Sequence, residues 1–142
     1  MNNRNHFTIA IIKEARIDEN RTPFTPKQIQ TLITNFPNLN ILVQPSKNRC
    51  FKDEDYFKAG AKIEEDISRS DIIFGIKEEE ISKLIENKTY LFFSHTSKVL
   101  KDAYQNTQDA AIIYKKELLR EILKKNIPIK ILMQILMSTN QK

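Results

Sequence analysis

The chain has 142 residues, 40% of them hydrophobic, and a formal net charge of +5, which is the length of one domain at roughly 150 residues each and enough to bury a core. Its single cysteine, Cys50, excludes an intramolecular disulfide, and with only two histidines a zinc cluster lacks ligands. Only two glycines occur, Gly60 and Gly75, so no dinucleotide fingerprint or phosphate loop is present, because either needs several glycines to bring backbone N–H groups against phosphate.

The positive charge does not read as a nucleic-acid surface. The basic residues are interspersed with 18 acidic ones, and the densest basic stretch, "YKKELLREILKK", is an amphipathic helix with a solvated face. The N-terminus, "MNNRNH", is polar and no apolar run approaches the ~18 residues of a membrane span. The expectation is a soluble, cytoplasmic protein without nucleic-acid or membrane partners.

In chain order, "HFTIAIIK" (6–13) reads as a central parallel strand, apolar on both faces, with His6 at the surface before it. "EARIDENRTPF" is a polar loop. The helix after it opens with Thr25 as N-cap, Pro26 at the first helical position, Gln28 closing a capping box and Phe24 with Ile29 in staple positions. Ile29, Leu32, Ile33 and Phe36 come next at helical spacing, and Pro37 stops the helix.

"NILVQPS" (40–46) predicts a second strand, and "DEDYFKAG" a short helix with Asp53 as cap and Gly60 just past its end. "AKIEED" adds a short strand and "DIIFGIK" a longer one. "EEISKLIENK" is expected to form a helix with Ile81, Leu84 and Ile85 on one face. "TYLFFSHT" (89–96) is the strongest strand signal, followed by helical "SKVLKDAYQN" and "YKKELLREILKKN". The alternation predicts a three-layer α/β domain, a parallel Rossmann-like or flavodoxin-like sheet with helices on both faces and crevices at the carboxyl ends of its strands.

Three polar residues stand near such ends: Arg21 in the loop after the first strand, Lys77 at the tip of "DIIFGIK", and His95 at the end of "YLFFSH". A guanidinium clamps a carboxylate through two parallel hydrogen bonds, a lysine beside a dry sheet edge can act as base or electrophile, and histidine carries protons near neutral pH. Together they describe a site for an oxo acid or amino acid. Taken singly, each has an ordinary explanation: Lys77 as the first polar residue after a core strand, His95 as a hydrogen-bonded strand end. Glu78, Glu79 and Glu80 read as an acidic first helical turn rather than a metal site.

The stretches "IIKE" with "ENRTPFTP", then "VQPSKNRCFKDEDYFKAGAKIEEDISRSDIIFGIKE", then "KTYLFFSHT" resemble the N-terminal, substrate domain of the alanine dehydrogenase/pyridine nucleotide transhydrogenase family. Its saccharopine dehydrogenase and lysine–ketoglutarate reductase branch is the most similar. The resemblance covers mainly residues 8–97 of a single domain spanning 1–142. It implies that Arg21 and Lys77 bind the substrate carboxylate or oxo group and that Lys77 and His95 take part in catalysis. It also implies that NAD(P), expected for the complete enzyme and not bound by this chain alone, comes from a second, glycine-rich domain absent here, and that Gly75 allows a close approach beside Lys77.

The tail 127–142, "IPIKILMQILMSTNQK", departs from the family pattern, in which a strand and an acidic "DYE"-like sequence stand at this point. The chain therefore reads as the substrate-binding half of an amino-acid dehydrogenase of lysine metabolism, truncated and not catalytic by itself. Two alternatives stand beside this: a stand-alone binding domain docking on a separate nucleotide-binding partner, and a decayed gene product.

Overall fold

The β-branched, apolar runs of the sequence form five strands in the computed structural model, which describes residues 6–93 and 116–128. They are β1 (Phe7–Ile11), β2 (Leu39–Val43), β3 (Lys62–Ile63), β4 (Ile72–Lys77) and β5 (Thr89–Phe93), all parallel to their neighbours in the order β3-β2-β1-β4-β5. This is the Rossmann-type order, in which the direction of strand addition reverses between β1 and β4. In open parallel sheets a crevice forms at that reversal, outside the carboxyl ends of the strands.

Because strand side chains alternate, the two faces bury separate cores. Ile9, Ile11, Ile41 and Val43 pack on one face with Ile29 of α1 (Pro26–Asn35) and Tyr56 of α2 (Asp53–Lys58). Ala10, Ile12, Leu42, Ile73, Tyr90 and Phe92 pack on the other with Leu118 and Ile122 of α3 (Lys116–Lys124). Helices thus cover both faces of the sheet, and each large side chain removed from water contributes about 1.5–3 kcal/mol. The outer edge of β5 is partly covered, since the Tyr90 N–H donates to the Pro128 carbonyl at 3.1 Å.

The start of α1 forms as its sequence signals require. The Thr25 hydroxyl accepts from the Gln28 N–H at 3.3 Å and the Gln28 side chain accepts from the Thr25 N–H at 2.8 Å, a reciprocal capping box. At α2 the cap differs from expectation. Lys52 is the N-cap and Asp53 the first helical residue, because both Asp53 carboxylate oxygens accept the Ser46 N–H, at 3.2 and 3.1 Å. Gly60 closes α2 at φ +97°, a conformation that favours glycine.

The helix expected over "EEISKLIENK" is not formed; the segment holds only a single 3₁₀ turn, Ile81–Lys83. Tertiary partners outcompete the i−4 carbonyls for its backbone. The Ile85 N–H goes to the Tyr90 hydroxyl at 3.0 Å and the Asn87 N–H to the Lys125 carbonyl at 3.1 Å, with Asn87 in the left-handed region at φ 58°. The second half of "YLFFSHT", the helix expected over "SKVLKDAYQN" and the tail beyond Pro128 lie outside the described residues.

Gly75 is buried in the middle of β4, and a Cβ there would stand 2.6 Å from Ile12 Cδ1 and 3.0 Å from Ile12 Cγ1. The overlap is with a core side chain of the adjacent strand, not a flexible surface one. Gly75→Ala is therefore expected to lower stability by about 1–3 kcal/mol, the usual cost of overpacking. Chemical denaturation of Gly75→Ala alone and combined with Ile12→Val checks this: the double variant should recover part of the loss, and equal losses would show the Ile12 contact is not the cause.

Candidate functional site

The carboxyl ends of β1, β2 and β4 are organised by buried and half-buried polar groups. The Arg49 side chain is 3% exposed. Its Nη2 donates to the carbonyls of Ile12 at 3.3 Å and Gln44 at 2.9 Å, its Nη1 donates to Asp53 Oδ1 at 3.3 Å, and its guanidinium lies 5.2 Å from the Tyr56 ring centroid. Tyr56 in turn donates to the Phe24 carbonyl at 2.7 Å, and the Cys50 N–H donates to the Asn20 carbonyl at 2.8 Å. The loop after β1, which carries Arg21, is thereby fastened to the loop after β2.

Arg21 is exposed, but its fork is engaged. Nε donates to Glu19 Oε1 at 2.7 Å and Nη2 to Glu19 Oε2 at 2.6 Å, while the Arg21 backbone N–H also reaches Glu19 Oε1 at 3.1 Å. Glu19 itself is 7% exposed. The hydrogen bonds from Arg21 hold its carboxyl below the usual range against the effect of burial, and the Lys77 charge adds in the same direction. One carboxylate therefore feels both cations that the sequence singled out. Nη1 of Arg21 has no partner among the described residues.

Lys77 is the last residue of β4 and stands where a bulge ends. Phe74 pairs with Leu91 and Lys77 with Phe93, so three steps along β4 match two along β5. The extra residue re-aims the side chains beyond it. By register Lys77 emerges on the α1 side of the sheet with Phe74, and Asp18 and Glu19 of the β1–α1 loop feel its charge. Strict alternation from Ile73 would have sent it to the opposite face. At the bulge, the N–H groups of Ile76 and Lys77 donate to the two carboxylate oxygens of Glu14, at 2.7 and 2.9 Å. Burial pushes the Glu14 carboxyl above the usual range, an effect that these N–H groups partly offset.

Arg21 and Lys77 thus come to one edge, on either side of the β1/β4 reversal, whereas His95 lies outside the described residues. His6 is exposed. Sequence reasoning passed over Glu14, Glu19 and Arg49. Glu14 and Glu19 carried a faint signal, an acid just past an apolar strand and an acid two residues from the singled-out arginine. Arg49 carried none, because "SKNRC" has the composition of an exposed loop.

At the same edge lies a cleft of about 440 Å³ whose lining includes Lys13, Glu14, Gln44, Glu65, Glu79 and Lys83. Several of its polar groups are engaged with one another: Lys13 with Glu65, Lys83 with Glu80, and the Gln44 side chain with the Lys13 N–H and the Glu65 carbonyl. Among the described residues no group of three or more His, Cys, Asp or Glu could hold a metal ion, and no helix is long and apolar enough to cross a membrane.

Residues 10–133 match the alanine dehydrogenase/PNT, N-terminal domain. The chain belongs to this family. Among curated relatives, the mitochondrial alpha-aminoadipic semialdehyde synthase of Bos taurus is 44% identical over 80 residues, 56% of this chain and 8% of that protein. The Mus musculus protein of the same name is 39% identical over 94 residues, 66% of this chain and 10% of that protein. The chain thus spans about a tenth or less of the length of these relatives. Among solved structures, an L-alanine dehydrogenase aligns with a TM-score of 0.66 at 16% identity, covering 87% of this chain and 31% of that one. The transhydrogenase from Sinorhizobium meliloti aligns with a TM-score of 0.66 at 15% identity, covering 86% and 33%. These structures share the fold, a parallel α/β domain.

Glu79 provides a test of the electrostatics at this edge. It is 7% exposed; burial pushes its carboxyl above the usual range, with the Glu80 N–H, Lys83 and Lys13 acting in the opposite sense. A carboxyl whose folded pKa exceeds its unfolded value favours the native state below the unfolded pKa, and that contribution is lost as pH rises through the folded pKa. Glu79→Gln, which imitates the protonated acid, should therefore melt higher than the wild type at neutral pH, with the gap closing on acidification through the carboxylate range. A lower melting temperature at neutral pH would show that the charged form is the one the site favours.

Proposed function

We propose that this domain binds the carboxylate of an amino acid or 2-oxo acid at the carboxyl edge of β1 and β4. It would do so as the substrate-binding part of an NAD(P)-dependent amino-acid dehydrogenase of the saccharopine dehydrogenase/lysine–ketoglutarate reductase kind. The observation that supports this reading is the placement of Arg21 and Lys77 on either side of the strand-order reversal, both sensed by the Glu19 carboxylate. That is where an open parallel sheet offers a crevice, and a guanidinium beside an ammonium complements a carboxylate next to an oxo group. In this reading Arg21 orients the carboxylate, Lys77 binds and polarises the oxo or imino group, and His95 moves the proton.

The residues present do not fit a dinucleotide. The turn between β1 and α1 contains no glycine, Gly60 terminates α2, and Gly75 lies within β4 against Ile12, so no backbone cradle for a pyrophosphate is built at the first strand–helix turn. The hydride would come from NAD(P) held by another domain or subunit, and the reaction would need that unit.

Isothermal titration of the chain with 2-oxoglutarate, pyruvate and lysine tests the reading. At least one should bind, and Lys77→Met or Arg21→Met should each weaken binding by about 10–100-fold, as expected for losing a charged hydrogen-bond donor. Arg21→Lys should not restore it, since an ammonium lacks the planar fork. Binding of the same acids undiminished in both methionine variants would overturn the assignment.

A further inference from the structure

The Lys77 side chain can serve the crevice only if it leaves β4 on the α1 side, and alternation alone would send it the other way. The bulge between Phe74 and Lys77 makes the difference, so whatever stabilises the bulge decides where Lys77 stands. In a regular strand, consecutive N–H groups point to opposite neighbours. Here those of Ile76 and Lys77 both point at one side chain, reaching Glu14 Oε1 at 2.7 Å and Oε2 at 2.9 Å. The β1 backbone does not supply these acceptors. Its last ladder bond is from the Ile12 N–H to the Phe74 carbonyl at 3.0 Å, and the Ile12 carbonyl is engaged by Arg49.

We infer that Glu14 is the positioning residue for Lys77: its carboxylate holds the two consecutive N–H groups of the β4 bulge and thereby fixes the face on which the lysine emerges. The inference rests on the reading of Lys77 as a substrate ligand and deepens it. The chemistry selects glutamate at this position. An ionised carboxylate is acceptor-only at both oxygens, whereas a glutamine would turn an NH₂ donor toward one of the N–H groups, and an aspartate falls a methylene short. Gly75 completes the device, since a side chain there would strike Ile12 where β1 and β4 lie side by side.

The groups around Glu14 include Glu19 and Glu79, which push its carboxyl further up, Arg21 and Arg49, whose own titration feels its charge, and Lys13, Glu65 and Lys83, which line the same cleft. Protonating Glu14 would leave one oxygen as a hydroxyl toward an N–H donor, so the bulge amides should report its charge state.

Two measurements on the whole chain test this. In ¹H–¹⁵N spectra recorded across the carboxylate range, the Ile76 and Lys77 amides should move together with a single midpoint, above that of an exposed glutamate. In Glu14→Gln that transition should vanish. The labelling rate of Lys77 by an amine-reactive sulfonate, read by peptide mass spectrometry, should change several-fold in Glu14→Gln, while exposed Lys27 and Lys62 keep their rates. Bulge amides that do not titrate in the wild type, or a Lys77 labelling rate unchanged in Glu14→Gln, would overturn the inference. Should the variant fail to fold, the wild-type amide titration decides alone. Equal affinity of wild type and Lys77→Met for 2-oxoglutarate sinks the substrate-site reading instead, and the amide and labelling results still decide whether Glu14 holds Lys77.

Discussion

The carboxyl edge of this sheet is held together by one buried cation. Arg49 satisfies the carbonyls of Ile12 and Gln44 where β1 and β2 stop making ladder bonds, pairs with Asp53, and lies over the Tyr56 ring. A guanidinium removed from water is costly unless its donors are engaged, and the rest of the loop architecture results from engaging them. Asp53 is drawn out of its capping role to hold Ser46, and Tyr56 is oriented so that its hydroxyl reaches Phe24. The β1–α1 loop then lies where Arg21 can meet the end of β4.

Around that brace, the energetics of the domain are those of an ordinary α/β layer structure. Two apolar clusters, one per sheet face, supply the driving force, and the β1/β4 reversal leaves a crevice that neither cluster fills. Charges collect at the reversal because the strands end there, and burial acts on Glu14 and Glu79 in the same direction while Arg21 acts on Glu19 in the other. The edge therefore contains carboxyls of unlike proton affinity close to one another, a property that arises from depth and partners rather than from residue type.

Much of this was legible in the sequence. The strands at 7–11, 39–43 and 72–77 and the capped start of α1 arise from local signals, β-branched runs and a Thr–Pro–x–Gln cap, that no tertiary contact overrides. The segment from Glu79 to Lys88 was misread because helical spacing of Ile81, Leu84 and Ile85 describes a burial pattern, which a 3₁₀ turn tied to Tyr90 and Lys125 satisfies as well. Arg21 and Lys77 could be singled out because strand ends are visible in a sequence. Arg49 could not and Glu14 only faintly, since the contacts that give them their roles include backbone groups 37 residues away for Arg49 and 62 to 63 residues away for Glu14. No pattern of side-chain types encodes such contacts. The bulge was equally hidden, and it decides the face of Lys77.

The Glu19–Arg21 clamp has a kinetic and entropic side. A solvent-exposed arginine explores many rotamers, and ordering it on contact with an anion costs up to about 2 kcal/mol. Here two hydrogen bonds donated by the guanidinium to an almost fully buried carboxylate already hold it in place. An incoming anion would meet a fixed plane with Nη1 presented, so recognition at this edge would proceed as docking onto a rigid template, with little of its free energy diverted into ordering the receptor.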